Sequence, residues 1–185
     1  MPFETAPRPW PRPFGEDWSA SEVDFEITHS FVASPNEVAE AMLDEDYQHS
    51  LSDVGQLEER ELLEQKTNGN GRVVRRVRCV LDIKVSGAAK RFIGDGDPAW
   101  VEKATWLEDK MRWDFVIEPE VAGELLSAEG TIGIEPDGDG TMRSVRGKVK
   151  VRVPFYGGRV EGWIVKGLTD AYDEEAGRLE AWLSR

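Results

Sequence analysis

No part of the chain limits the possible folds more than its last stretch. After Pro154-Phe155-Tyr156-Gly157-Gly158, about 27 residues from Arg159 to Arg185 contain no proline and repeat apolar side chains at helical spacing. Val160, Trp163, Ile164, Gly167, Leu168, Ala171, Tyr172, Leu179, Trp182 and Leu183 fall at i, i+3, i+4 and i+7 intervals, one stripe of a long amphipathic helix. A single helix gains most of its stability from packing, so this stripe must lie on an apolar surface built from the preceding segments.

Those segments alternate. Val23, Phe25, Ile27, His29 and Phe31 share one face, and Asp24, Glu26, Thr28 and Ser30 the other, the period-two pattern of a half-buried strand. Ser34-Pro35-Asn36-Glu37 then supplies an N-cap, a proline at the first helical position and an acidic first turn, predicting a short helix through Leu43. Asp44 to Tyr47 reads as a turn or a second short helix. Asn68-Gly69-Asn70-Gly71 separates strands at Gln56–Gln65 and Arg72–Lys84, and Asp137-Gly138-Asp139-Gly140 separates Leu125–Ile134 from Met142–Val153. Trp100–Glu108 and Met111–Ile117 make a further pair around Asp109-Lys110.

Alternation also assigns the faces. Val73, Val77, Cys79, Leu81 and Ile83 share one, as do Met111, Trp113, Phe115 and Ile117, and Val145, Val149, Val151 and Val153. The opposite faces carry Arg76, Arg78, Asp82 and Lys84, then Arg112, Asp114 and Glu118, then Arg146, Lys148, Lys150 and Arg152. One face therefore meets water, and the terminal helix is the element long enough to cover the other. The expected fold is α+β: a curved antiparallel sheet of about seven strands around a long C-terminal helix, with one or two short helices after the first strand.

A chain of 185 residues suits one domain, placed at 21–185. Residues 1–20 stand apart, with Pro2, Pro7, Pro9, Pro11 and Pro13 interleaved by Trp10, Phe14 and Trp18. Each proline fixes φ and removes a donor, so this arm is expected to be extended or disordered, as a tail, a strap or a polyproline ligand. The net charge of −13 opposes nucleic acid, whose binding draws on Lys and Arg, and opposes anionic membrane surfaces. A single cysteine forms no internal disulfide and, with no signal peptide or membrane span to be read, the expectation is a cytoplasmic protein without membrane insertion.

The order of elements resembles the START-like (SRPBCC, helix-grip) superfamily. Phe25-Glu26-Ile27-Thr28-His29-Ser30-Phe31, Pro35-Asn36-Glu37-Val38 and Val151-Arg152-Val153-Pro154-Phe155-Tyr156-Gly157-Gly158-Arg159-Val160-Glu161, with Trp182-Leu183 at the helix end, look like actinobacterial proteins of the DUF2505 type. The resemblance covers about residues 23–185. It implies a cavity between sheet and long helix, used across the superfamily for sterols, lipids, polyketides and other apolar ligands.

The residues themselves offer little chemistry. Two histidines, His29 and His49, and Cys79 assemble no known metal-ligand spacing, and no metal or cofactor is expected. Asp137 to Gly140 lacks the spacing of a calcium loop, and Gly147-Lys148 lacks that of a phosphate loop. His29, on the apolar face of its strand, is either a proton carrier or ligand anchor, or a core histidine with satisfied partners. Glu161 is either a carboxylate at the cavity mouth or an exposed first-turn acid. Cys79 acts as a small hydrophobe.

Trp100, Trp106, Trp113, Phe115, Trp163 and Tyr172 either line a pocket or fill the grip. The expected ligand-binding set is His29, Val77, Cys79, Trp106, Trp113, Phe115, Val149, Val151, Glu161, Trp163, Leu168 and Tyr172, with no catalytic residue assigned. The expected function is binding of a hydrophobic or amphipathic small molecule by a monomer or homodimer. The alternatives are a cyclase, hydratase or isomerase, for which Glu102 is a further inward group, and an interaction module using the arm or a sheet edge.

Overall fold

The computed structural model describes residues 21–55, 57–81, 99–120, 123, 126–152 and 157–185. The arm of residues 1–20, Gln56, residues 82–84, Leu125, residues 153–156 and the side chains of Leu81, Val160, Glu161 and Trp163 lie outside the description, as does what was expected of them.

The first strand, β1 (Ser21–Phe31), is followed by helices α1 (Pro35–Leu43) and α2 (Glu45–His49). Strands β2 (Leu57–Thr67), β3 (Val73–Leu81), β4 (Ala99–Leu107), β5 (Arg112–Pro119), β6 (Leu126–Asp137) and β7 (Gly140–Val151) come next. Helix α3 (Gly157–Leu183), 27 residues, ends the fold. The strands form one sheet in the order β1-β7-β6-β5-β4-β3-β2, every pair antiparallel. At 1.5 Å per residue α3 spans about 40 Å, and it runs along β1 and β7 with α1 beside it. This is the helix-grip fold.

Local chemistry explains the boundaries. Ser34 closes a capping box with Glu37, the Ser34 N–H donating to Glu37 Oε2 at 2.8 Å, and Pro35 opens α1 where a missing N–H costs nothing. Asp44 caps α2 by accepting from the Tyr47 N–H at 2.9 Å. In the β2–β3 turn Gly71 takes φ 73°, whereas Asn68 contributes by its side chain, Oδ1 accepting from the N–H groups of Asn70 and Arg72. Asp137 pairs with Gly140 around Gly138, at φ 58°. Met111, expected to begin a strand, instead closes the 3-10 turn Glu108–Lys110 at φ 46°, and β5 starts one residue later. Its side chain still packs on the core.

The stripe of α3 meets that core through Leu168, Ala171, Tyr172, Ala176, Leu179 and Trp182. Leu179 is fully buried, and Trp182 meets the Tyr47 ring edge-on at 5.5 Å between centroids. Arg178 ties the loop after α2 to the helix, donating to the Ser50 carbonyl at 3.0 Å and to Asp53 Oδ1 at 2.6 Å. No helix of the described residues is long and apolar enough to cross a membrane.

Candidate functional site

Antiparallel register lines inward side chains into rows across the sheet. One row runs Gln65, Arg75, Ala104, Phe115, Gly130, Gly147, Phe25. Its neighbour runs Leu62, Val77, Glu102, Ile117, Ala128, Val149, Val23. The two glycines are required by close approach. A Cβ on Gly147 would lie 2.7 Å from Cζ of Phe25, and one on Gly130 2.8 Å from Cζ of Phe115, besides colliding with the Arg146 carbonyl oxygen. The aromatic rings therefore lie over bare backbone in the middle of the sheet.

The same parity that turns Val77 and Cys79 inward turns Arg75 inward, and that of Val145 and Val149 does so for Arg143. Arg75 is 4% exposed and Arg143 is 0% exposed. A buried guanidinium costs several kcal/mol of desolvation unless it is paired and hydrogen-bonded, so these two arginines define the chemistry of the interior.

Arg143 engages both terminal nitrogens, and only its buried Nε lacks a partner among the described residues. Nη1 donates to Glu175 Oε1 at 2.9 Å, and Nη2 donates to the Tyr172 carbonyl at 3.1 Å and to His29 Nδ1 at 3.2 Å. Arginine only donates, so Nδ1 of His29 accepts, and the ring hydrogen lies on Nε2, which donates to Asp173 Oδ1 at 2.8 Å. His29 thus has both nitrogens occupied, within a chain of polar groups joining β1, β7 and α3.

Arg75 is not fully supplied. Nη1 donates to the Met42 carbonyl at 3.0 Å, and the guanidinium lies 4.2 Å above the Trp113 ring, while buried Nε has no partner among the described residues. Nε1 of Trp113 is likewise buried without one. Glu102 lies diagonally across the β3–β4 ladder from Arg75, with Val77 directly opposite it. Burial raises the Glu102 carboxyl above the usual range, opposed by Arg75 and then Arg60, and no hydrogen bond from a described residue supports its charge. The Tyr172 phenol is raised well above the ordinary tyrosine value by burial, then by Glu102 and Glu175, with Arg143 and Arg75 acting the other way. Sheet and helix therefore send acidic and basic groups to one place.

The expected site residues sort by position. Val77, Cys79, Trp106, Trp113, Phe115, Val149, Val151 and Tyr172 are buried on the gripped side, and Leu168 packs at its edge. The Trp106 and Trp113 rings pack at 5.5 Å between centroids, tilted by 48°. His29 sits at the Arg143 cluster instead, in the register row His29, Arg143, Ile134. Burial, then Glu102, pushes the Cys79 thiol up to about 12. Sequence reasoning missed Arg75, Arg143 and Glu175, although strand parity marks the first two.

A depression of about 880 Å³ occupies the opposite face of the sheet, lined by two outward rows that include Lys103, Asp114, Glu129 and Arg146. Its charges are already matched in pairs such as Arg146 with Glu26 at 2.8 Å and Lys103 with Glu118 at 2.6 Å. Exposed pairs of this kind hold their charges against one another in water, and the gripped face, where Arg75 and Arg143 are buried, is the better candidate.

Solved structures share this architecture at low identity, which establishes fold alone. An aromatase/cyclase from a Streptomyces species, Zhui, aligns with TM-score 0.63 and 12% identity over 89% of this chain and 95% of its own. Norcoclaurine synthase from Thalictrum flavum gives 0.62 and 14% over 98% and 99%. A protein from Thermus thermophilus gives 0.59 and 20% over 89% and 97%. Among curated proteins, none matches the chain by sequence. The family model described as "Protein of unknown function (DUF2505)" matches residues 26–183, from β1 to the end of α3, and the chain belongs to that family.

Proposed function

We propose that the protein binds a hydrophobic or amphipathic small molecule between the sheet and α3. One observation carries this reading: unpaired polar groups converge on a largely apolar interior. Native cores pair nearly all buried polar atoms, whereas among the described residues Gln65 Oε1, Arg75 Nε, Trp113 Nε1 and Arg143 Nε are buried on the gripped side without a hydrogen-bond partner. Ligand sites combine apolar walls with a few such groups. Val77, Trp106, Phe115 and Val149 supply the walls, and the solved structures of the same fold include an aromatase/cyclase and norcoclaurine synthase.

Native mass spectrometry of the purified full chain tests it. One dodecanol per chain is the expected uptake, lost in Cys79→Trp, whose fold is checked by circular dichroism. A wild-type protein that takes up no apolar compound overturns the reading.

A second reading, acid/base catalysis of the cyclase, hydratase or isomerase type, is favoured by one observation. Glu102 and Tyr172 are two titratable groups raised chiefly by burial, and the Glu102 charge raises Tyr172 further. A poly-β-keto thioester gaining an aromatic chromophore with wild-type protein, and not with Tyr172→Phe, supports it. Equal rates with and without protein oppose it.

A further inference from the structure

The described interior does not balance its charges. Three guanidiniums, Arg60, Arg75 and Arg143, act on the groups around Tyr172 and Tyr47, against two carboxylates, Glu102 and Glu175. Glu175 is held by Arg143 at 2.9 Å, and Arg60 is spent on Gln48, donating Nη1 to its carbonyl at 2.9 Å and Nη2 to Oε1 at 2.8 Å. That leaves Arg75 facing Glu102. No ion pair within 4.0 Å joins them among the described residues, although they are diagonal neighbours on adjacent strands of the same face.

Arg75 therefore keeps its cation 4% exposed with one hydrogen bond to the end of α1 and a ring beneath it. A structural latch for α1 explains Nη1 alone, because Gln48 Nε2 already donates to the same Met42 carbonyl at 2.9 Å. The latch leaves the rest of a five-donor fork, its buried Nε included, without an acceptor among the described residues. A planar fork on an aromatic ring is suited to a planar anion, and a carboxylate accepts two parallel N–H bonds from it.

We infer that the ligand of this interior carries a carboxylate on an apolar body, and that Arg75 receives that carboxylate while Trp113 and Phe115 flank the body. The inference rests on the proposed ligand-binding function and names the chemical class of its ligand. Glu102 is the resident acid that competes for Arg75.

Paired probes, dodecanoate and dodecanol, titrated into the full chain at pH 8 by calorimetry, test it through the ratio of their affinities. Wild type is expected to favour dodecanoate about ten- to a hundredfold, the worth of a charge-assisted hydrogen bond in a buried site. Arg75→Gln brings the ratio toward one. Glu102→Gln raises it by removing the competing charge. If Arg75→Gln fails to fold by circular dichroism, the Glu102→Gln ratio decides, and a ratio that falls or stays level overturns the inference. A wild type that binds both probes equally overturns the carboxylate and leaves the binding function standing. Binding of neither probe overturns both.

Discussion

Arg143 on β7 donates Nη2 to Nδ1 of His29, its direct register partner on β1, at 3.2 Å. The contact fixes one imidazole tautomer and hands the other nitrogen to Asp173 on α3. The same guanidinium holds Glu175, one turn along the helix from the Tyr172 carbonyl it also caps. A single fully buried side chain thus joins the two strands on which α3 rests to the helix itself, and the grip is locked by polar as well as apolar contacts.

Replacing Arg143 removes the cation from that lock and leaves the Glu175 carboxylate, itself 17% exposed, without its partner. Breaking a buried pair from one side costs about 3 kcal/mol or more. Arg143→Met is expected to lower the urea midpoint accordingly, and Arg143→Met with Glu175→Gln to recover part of the loss. Equal stability of the single and double variants would show that the pair is not coupled.

The bare backbone at Gly130 makes a second test. A methyl there meets the Arg146 carbonyl of the neighbouring strand, which cannot swing aside, as well as the tip of Phe115. Gly130→Ala is expected to destabilise the fold by about 1 to 3 kcal/mol, the usual range for overpacking. Adding Phe115→Leu does not restore it, because the backbone collision remains. Thermal melts of wild type, Gly130→Ala and the double variant distinguish the backbone from the ring as the obstacle.

How far the fold could be read in advance follows from what sets each feature. The α3 stripe and the β1, β3, β5 and β7 alternations are local periodicities, and they placed the helix, the strands and the covered face. The turns were visible as Asn-Gly and Asp-Gly runs. The polar interior was hidden by its own composition. Arg75-Arg76 puts a guanidinium at both parities, so the inward one reads as one more exposed charge, although Val77 and Cys79 share its face. Arg143 is masked in the same way by the basic run from Arg146 to Lys150. What makes burial tolerable lies far along the chain, Glu175 at 32 residues from Arg143 and Met42 at 33 from Arg75. No local pattern encodes those distances, and His29, legible as inward, gained its meaning only from Arg143.

Cys79 offers a reporter of opening. Its thiol is 6% exposed and pushed up to about 12 by burial and the neighbouring Glu102, so the reactive thiolate is scarce in the folded state at ordinary pH. Labelling with a thiol reagent at pH 8 is expected to be slow and to accelerate with urea in step with unfolding. It being the chain's one cysteine, the signal has a single source. Rapid labelling in the absence of denaturant would show that β3 opens locally.

Glu102 makes stability depend on pH in a direction opposite to that of a paired surface acid. Its folded-state value is raised above that of the unfolded chain, so between the two values the folded protein binds more protons than the unfolded one. The slope of unfolding free energy with pH follows protons bound in the unfolded state minus those in the folded state, and is therefore negative in that window. As pH climbs from the unfolded value of about 4.3 through the raised folded one, Glu102 progressively withdraws stability, because partial burial disfavours its charged form. Glu102→Gln keeps the shape and removes the titration. Urea midpoints measured from pH 4.5 to pH 8 should show the variant gaining on wild type as pH rises and the two converging at the acid end. A gap that stays constant, or narrows with rising pH, would mean that the Glu102 carboxylate is well compensated in the fold, with Arg75 as its partner.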